Sequence, residues 1–217
     1  MDNTKIVDIA RNRYAIKKFD KLRRISDDDF NMLLEVARYS PTAFGLEPWH
    51  IIVVRSSEMI EAMKPYIPGG QRQIETCSHF VIFTVITSLT PNSEYFEHIN
   101  KNVKGFDDDA HNAFVSRFKL FQDEKLGLTD DRSRIDWAGK QAYIALGNML
   151  LAAAICGIDS CAIEGFIPNK IDSILAKHNF IDKNKEHVAV MVAFGYRDEE
   201  PIRNKTRRPL NEVIKYI

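Results

Sequence analysis

The chain of 217 residues carries 30 Lys and Arg against 30 Asp and Glu, a formal net charge of zero at pH 7. That balance excludes a nucleic-acid or membrane-surface role driven by overall charge; either would need a local patch. A hydrophobic share of 45% with 28% charged residues is that of an ordinary globular protein, and one domain over residues 1–217 is expected.

Cys77, Cys156 and Cys161 form no CxxC, and no Cys/His cluster has metal spacing, so a reduced, cytoplasmic chain without a metal site is expected. Residues 1–5 lack the apolar run of a signal peptide. The longest apolar stretch, residues 144–158, is interrupted by Asn148 and Gly157 and is short for a bilayer, so it reads as a buried helix.

In chain order, Asn3 or Thr4 caps a short helix ending near Asn12, and a turn holding Arg13 and Lys17 follows. Ser26, with Asp27, Asp28 and Asp29 behind it, opens a helix whose apolar face is Phe30, Leu33, Leu34 and Ala37. Pro41 ends it near Ser40, because the residue before a proline avoids helical geometry. Residues 49–54 (WHIIVV) and 80–87 (FVIFTVIT) read as strands buried on both faces, with a short helix at 57–64.

Residues 92–104 and 107–125 read as helices. The Asp107–Asp109 run is a solvated helix start, since it lacks the glycine and spaced ligands of a calcium loop. The longest helix covers 134–156, with Gly157 as its C-cap. Its small residues (Ala138, Gly139, Ala142, Ala145, Gly147 and Ala152 to Ala154) place it at the centre of the molecule or of a dimer. An extended piece at 158–163 leads to Glu164 and Gly165, then a helix at 171–177 and a third buried strand at 187–194. The tail from Tyr196 is charged, punctuated by proline, and ends on the apolar Val213, Ile214 and Ile217. The order is not a βαβ alternation and no GxGxxG follows a strand, which argues against a Rossmann domain.

Four segments carry candidate chemistry, each a loop or an element end: 13–17, 40–50, 163–165 and 205–208. Arg13 and Lys17, with Lys205, Arg207 and Arg208, are the residue types that hold a phosphate, Arg as a planar fork and Lys as a point charge. Taken singly they also suit a solvated surface.

Arg13-x-x-x-Lys17-x-Phe19-Asp20 followed by Ser40-Pro41-Thr42 and Pro48-Trp49-His50 resembles the N-terminal signature of the nitroreductase family. Residues 137–165 (WAGKQAYIALGNMLLAAAICGIDSCAIEG) are similar to that family's central helix and Ile-Glu-Gly turn, and Lys205-x-Arg207 to its C-terminal phosphate clamp. The resemblance covers essentially the whole chain, and the order and spacing closely resemble oxygen-insensitive NAD(P)H nitroreductases.

It implies an α+β fold with a mainly antiparallel sheet surrounded by helices, a long central helix, and a C-terminal extension embracing a homodimer partner. FMN would lie at the subunit interface, with NAD(P)H as electron donor. Arg13, Tyr14, Ala15 and Lys17 would bind its ribityl and pyrimidine side, Gln73 its pyrimidine ring, and Lys205 and Arg207 its phosphate. Pro41, Thr42 and Ala43 would approach from the partner, and Gly45 would also bind the cofactor. Ile163, Glu164 and Gly165 would set backbone N–H near flavin N5, and Lys17 would stabilise the reduced ring. Phe44 and Phe121 would contact the acceptor. The implied reaction is ping-pong hydride transfer to nitroaromatic or quinone acceptors, with no side-chain nucleophile.

The chain departs from the family pattern at Ala15, where a Ser is usual, at Gly45 and Glu47, where Asn and Gln are usual, at Phe44, where a smaller polar residue is common, and at Gly70 and Gln73. Alternatives are reduction of free flavin, an enone or a halogenated aromatic on the same fold, or a non-catalytic protein whose basic tail (Arg203, Lys205, Arg207, Arg208) binds an anion; no nucleic-acid motif is present. Trp49 and Trp137 read as core anchors, His50 and His79 as structural histidines, Cys156 and Cys161 as small buried hydrophobes, and Phe114, Phe118 and Phe121 as a packing stripe.

Overall fold

A computed structural model describes residues 3–217. Nine α-helices and four strands occur among them. The strands are β1 (Trp49–Val54), β2 (His79–Ile86), β3 (Asp159–Ile163) and β4 (Glu186–Gly195), in the order β1-β2-β4-β3 with every pairing antiparallel. The mixed α+β class with an antiparallel sheet is as expected.

Each face of the sheet buries its own core because successive side chains point to opposite sides. Val81, Phe83 and Val85 of β2 with Val190, Val192 and Phe194 of β4 face α2 (Asp27–Arg38) and α7 (Asp131–Ile155). Phe80, Ile82, Met191 and Ala193 face the other way, toward α3 (Ser57–Met63), α4 (Gln71–Thr76) and α8 (Pro168–Lys177). A β-bulge keeps this alternation on both sides of an extra residue: Phe83 pairs with Val190 but Thr84 with Val188, so Ala189 and Val190 both pack on the α7 side.

The α7 helix is 25 residues long and starts three residues earlier than expected, because Asp130 and Ser133 form a reciprocal cap. Ala138, Ala142 and Ala145 are fully buried, so short side chains let α7 lie close to α2 and the sheet. Its opposite side leaves Tyr143, Ile144, Leu151 and Ile155 exposed. Cys156 forms the C-cap and Gly157 turns left-handed at φ 70°. Trp49 and Trp137 are buried, as core anchors should be.

Several expectations need correction. Strand β1 is one of the sheet's two outer strands, and only Trp49 of it is buried, so it is not covered on both faces. Cys156 is exposed rather than buried, because the helix ends there and the chain turns outward; Cys161 is fully buried. Asn3 and Thr4 are already helical in α1 (Asn3–Asn12) rather than capping it from outside. The segment at 92–104 is α5 (Glu94–His98) running into a π-helical turn, Ile99–Val103. The segment at 107–125 is α6 (Asp108–Leu120) running into a second, Phe121–Leu126. Helix α8 starts at Pro168, a residue suited to a first helical turn. The short helices α4 and α9 (Leu210–Val213) had no apolar period long enough to announce them.

Candidate functional site

The two ends of the chain meet beside β3. Ala15 makes a parallel bridge to Ser160, which lays residues 13–17 along the free edge of the sheet. From the other end, Lys205 Nζ donates to the Ala10 carbonyl of α1 at 2.8 Å. Burial pushes the Lys205 ammonium below the usual lysine range, and the nearby charges of Arg13 and Arg207 push it further. Three cations are therefore gathered from segments almost 200 positions apart. Among the described residues neither Arg13, Lys17, Lys205 nor Arg207 has a carboxylate salt-bridge partner. Such a cluster is self-repelling until an anion neutralises it, and it suits a phosphate.

Lys17 lies farther along the same edge. Its Nζ approaches Cys161 Sγ at 3.5 Å, and Gln73 Nε2 reaches the same sulfur at 3.6 Å. A thiol is a weak acceptor, so most of the donor capacity of Lys17 is left for a ligand, whereas buried Gln73 also donates to the Gly69 carbonyl at 3.3 Å. Glu199 accepts from the backbone N–H of Lys17 and of Lys18 and pairs with Arg72 at 3.1 Å, fixing this turn. Tyr14 and Lys17 line a cleft of about 380 Å³ with Glu199 and Pro201, and Arg13 lines another of about 310 Å³ with Asp159 and Arg197. Arg197 holds Asp159 through a forked ion pair at the start of β3.

The turn after β3 is built for backbone approach. A Cβ on Gly165 would stand 2.7 Å from Gly69 Cα, and Gly69 N–H donates to the Gly165 carbonyl at 2.7 Å. Only glycine at both positions lets the chains touch there. Ile163 is buried, while Glu164 and Gly165 are exposed, and Glu164 accepts a hydrogen bond from the Tyr143 hydroxyl of α7.

The segment at 40–50 lies elsewhere, leading into β1 at the opposite edge of the sheet. Gln141 of α7 accepts from Ala43 N–H at 2.9 Å, Asn148 donates to Ser40 Oγ at 2.9 Å, and Thr42 Oγ1 accepts from Glu47 N–H at 3.0 Å. Phe44, Gly45 and Glu47 are left-handed, with φ of 60°, 56° and 46°. For Phe44 and Glu47 that is strain, on the order of 1–3 kcal/mol each. The strain is held by Lys104, whose Nζ donates to the Phe44 carbonyl at 2.7 Å, and by Tyr95, whose hydroxyl donates to the Glu47 carbonyl. The Phe44 ring packs edge-on against Phe114, Phe118 and Phe121, so it anchors the loop to α6 and the turn after it. Pro41 and Gly45 remain exposed.

The fold thus brings together Arg13, Tyr14, Ala15, Lys17, Gln73, Ile163, Glu164, Gly165, Lys205 and Arg207 on one side. It keeps Pro41, Thr42, Ala43, Phe44, Gly45 and Phe121 apart from them, across the sheet. Cys161, Glu199, Lys104 and Gln141 were not singled out as site residues in the sequence. Their partners lie between 60 and 182 positions away, and no local pattern signals them. His50 is a structural histidine, bonded to Glu186 at 3.1 Å, which raises its pKa; His79 stacks on Phe30 at 3.8 Å.

A family profile, the nitroreductase family, matches residues 10–196. The chain belongs to the nitroreductase family. Membership makes it an oxidoreductase. Among nitroreductase relatives, a Staphylococcus epidermidis protein provisionally named as an NAD(P)H nitroreductase is 41% identical over 215 residues, spanning 99% of this chain and 98% of its own. The Bacillus subtilis protein YfkO, provisionally named in the same way, is 42% identical over 217 residues, with 99% and 98% covered. Solved nitroreductase folds superpose over the full length: one from Exiguobacterium sibiricum in complex with FMN has a TM-score of 0.77 at 17% identity, covering 100% of this chain and 98% of that one. An enone reductase of gut-bacterial fatty-acid saturation has a TM-score of 0.80 at 20% identity, with 100% of each chain covered. Among the described residues no helix is long and apolar enough to cross a membrane, and no group of three or more His, Cys, Asp or Glu could hold a metal ion.

Proposed function

We propose that this protein is a cytoplasmic, homodimeric, single-domain oxidoreductase that uses FMN to pass a hydride from NAD(P)H to nitroaromatic or quinone acceptors in a ping-pong cycle. The observation that carries the reading is the convergence of Arg13, Lys205 and Arg207, without a carboxylate partner among the described residues, beside the Lys17 and Gln73 donors. When bound, FMN supplies reversible hydride acceptance.

The chain's own residues do the rest. Arg13, Lys205 and Arg207 hold the phosphate, and Tyr14 and Ala15 give backbone along the β3 edge. Lys17 and Gln73 bind the polar edge of the ring, where a cation lowers the cost of negative charge. The Ile163-Glu164-Gly165 turn supplies backbone N–H, and its contact with the Gly69 backbone holds it in place. Pro41, Thr42, Ala43 and Gly45 come from a second copy, which would return to the site the loop that one chain keeps at its opposite edge. The exposed apolar face of α7, with Ile6 and Val7 of α1 and Val213, Ile214 and Ile217 of the tail, supports that pairing. Phe44 shapes the acceptor side through the loop it anchors, and Phe121 stands beside it.

The test is a visible spectrum of the purified protein, recorded anaerobically before and after NADH or NADPH. The expected result is an oxidised-flavin band that bleaches with a nucleotide and returns with a nitroaromatic or quinone. Protein that stays colourless after FMN is supplied would overturn the cofactor assignment. Bleaching with return only on an enone would move the acceptor to the chemistry of the enone reductase.

A further inference from the structure

Strand β3 is half as long as β4: it stops at Ile163, opposite Met191, while β4 begins five residues earlier at Glu186. The chain leaves β3 through Glu164 and enters α8 at Pro168, so the first half of β4 has no neighbour on that side. A cleft of about 400 Å³ opens there, lined by Tyr143 and Arg132 of α7, by Asn169 and Asp172 of α8, and by His187 of β4. It adjoins the cofactor turn directly, because Tyr143 on its wall donates to Glu164.

One wall holds a pair, buried Asp172 and half-buried His187, that the proposed cycle does not otherwise use. Asp172 is only 2% exposed, and both of its oxygens are occupied: Oδ1 accepts Val188 N–H at 2.9 Å and Oδ2 lies 2.8 Å from His187 Nδ1. A buried carboxylate on Nδ1 fixes that nitrogen as the N–H donor and leaves Nε2 as the ring atom without a protein partner on a side chain that lines the cleft. The other charged or titratable groups here are Arg132, paired with Asp136 at 2.9 Å on α7, and Tyr143 with Glu164. No Ser, Thr or Cys lines the cleft, so it holds an acid–base group without a nucleophile.

We propose that this cleft is the proton-delivery side of the acceptor site, with His187 as its general acid and Asp172 as the residue that positions it. The inference rests on the oxidoreductase reading above. Reduction of a quinone Q by NAD(P)H follows NAD(P)H + H⁺ + Q → NAD(P)⁺ + QH₂. The hydride brings both electrons and one hydrogen; the second hydrogen must arrive as a proton on a quinone oxygen. The Nε2–H bond of the imidazolium breaks as that O–H bond forms, and solvent returns the proton to Nε2. A positioned acid typically contributes a factor of roughly a hundred or more.

The experiment uses the FMN-loaded full chain and follows each half-reaction separately by stopped flow, in wild type, His187→Gln and Asp172→Asn. Bleaching by NAD(P)H is expected to be unchanged in all three. Re-oxidation by a benzoquinone should slow on the order of a hundredfold in His187→Gln and lose its dependence on pH. Asp172→Asn should shift that pH dependence. Re-oxidation by ferricyanide, which takes electrons and no proton, should proceed at the wild-type rate in every variant; a merely structural defect would slow it too. Independently of turnover, benzoate titrated into wild type should move the His187 imidazole resonance. Quinone re-oxidation in His187→Gln at the wild-type rate and pH profile would overturn the proposal while leaving the reading intact. Equal slowing with ferricyanide would also overturn it. Wild type that never bleaches would overturn both.

Discussion

Replacing Lys104 by Met tests the strained loop at 42–47, because Met keeps most of the side-chain volume and removes the ammonium. The substitution forfeits a charge-assisted hydrogen bond to the Phe44 carbonyl, about 1.5–3 kcal/mol. It also forfeits the cation over the Phe114 ring at 4.3 Å, about 0.5–1 kcal/mol at a partly exposed site. Against this, burial already pushes the Lys104 ammonium below its usual range, only partly opposed by Glu47, so an uncharged chain offsets part of that loss. The net loss is roughly 2 kcal/mol, which for a chain of this size lowers Tm by about 4–8 °C. With its carbonyl released, Phe44 can leave the left-handed region, so the loop should also open locally. Thermal unfolding measures the first effect, and the rate of limited proteolysis within 42–47 the second. Lys104→Arg should recover part of both. A Lys104→Met protein that melts within about 1 °C of wild type and is cut no faster would refute the clamp.

Three further outcomes are expected. Gly165→Ala should cost about 1–3 kcal/mol and shift Tm accordingly, since its Cβ would meet Gly69 Cα at 2.7 Å with backbone on both sides; an unshifted melt would mean that the two turns are not in contact. Lys205 has a depressed pKa in the folded chain, so between that value and the ordinary one near 10.5 the unfolded chain binds more protons and stability rises with pH. Lys205→Met should therefore be relatively more stable than wild type at neutral pH, with the gap closing as pH climbs through that window in a pH series of melts, and inorganic phosphate should stabilise wild type more; a gap that widens with pH would contradict the assignment. Ile144→Asp, on the exposed face of α7 at 41% exposure, should sediment as a monomer and lose bound flavin; a dimer that keeps its flavin would exclude that face as the interface.

The elements with strong local signals were readable without coordinates. Ser26 ahead of three aspartates starts α2 where expected, with its side chain accepting from Asp29 N–H, because a cap is decided within one turn of chain. The run at 80–87 became β2, fully buried beyond His79, because a continuous β-branched and aromatic stretch can only be satisfied between two layers. The equally apolar run at 49–54 did not, since being an outer strand is a property of strand order and not of the strand's own residues. The family itself was legible because four spaced motifs survive as linear text.

Only tertiary structure decided how those motifs meet. Composition showed that Arg13, Lys205 and Arg207 are basic; the bridge from Ala15 to Ser160 and the bond from Lys205 to Ala10 gather them into one repelling cluster. Phe44 was expected to contact the acceptor; its left-handed backbone and the three rings that anchor its loop became visible only in the fold. His187 and Asp172 carried no motif at all, because their pairing depends on β4 outrunning β3 and on α8 starting where it does. Local propensity acts over a few residues and is written in order along the chain. Charge convergence, strain held by distant donors and open strand ends are long-range terms, and they take values only once the chain has closed on itself.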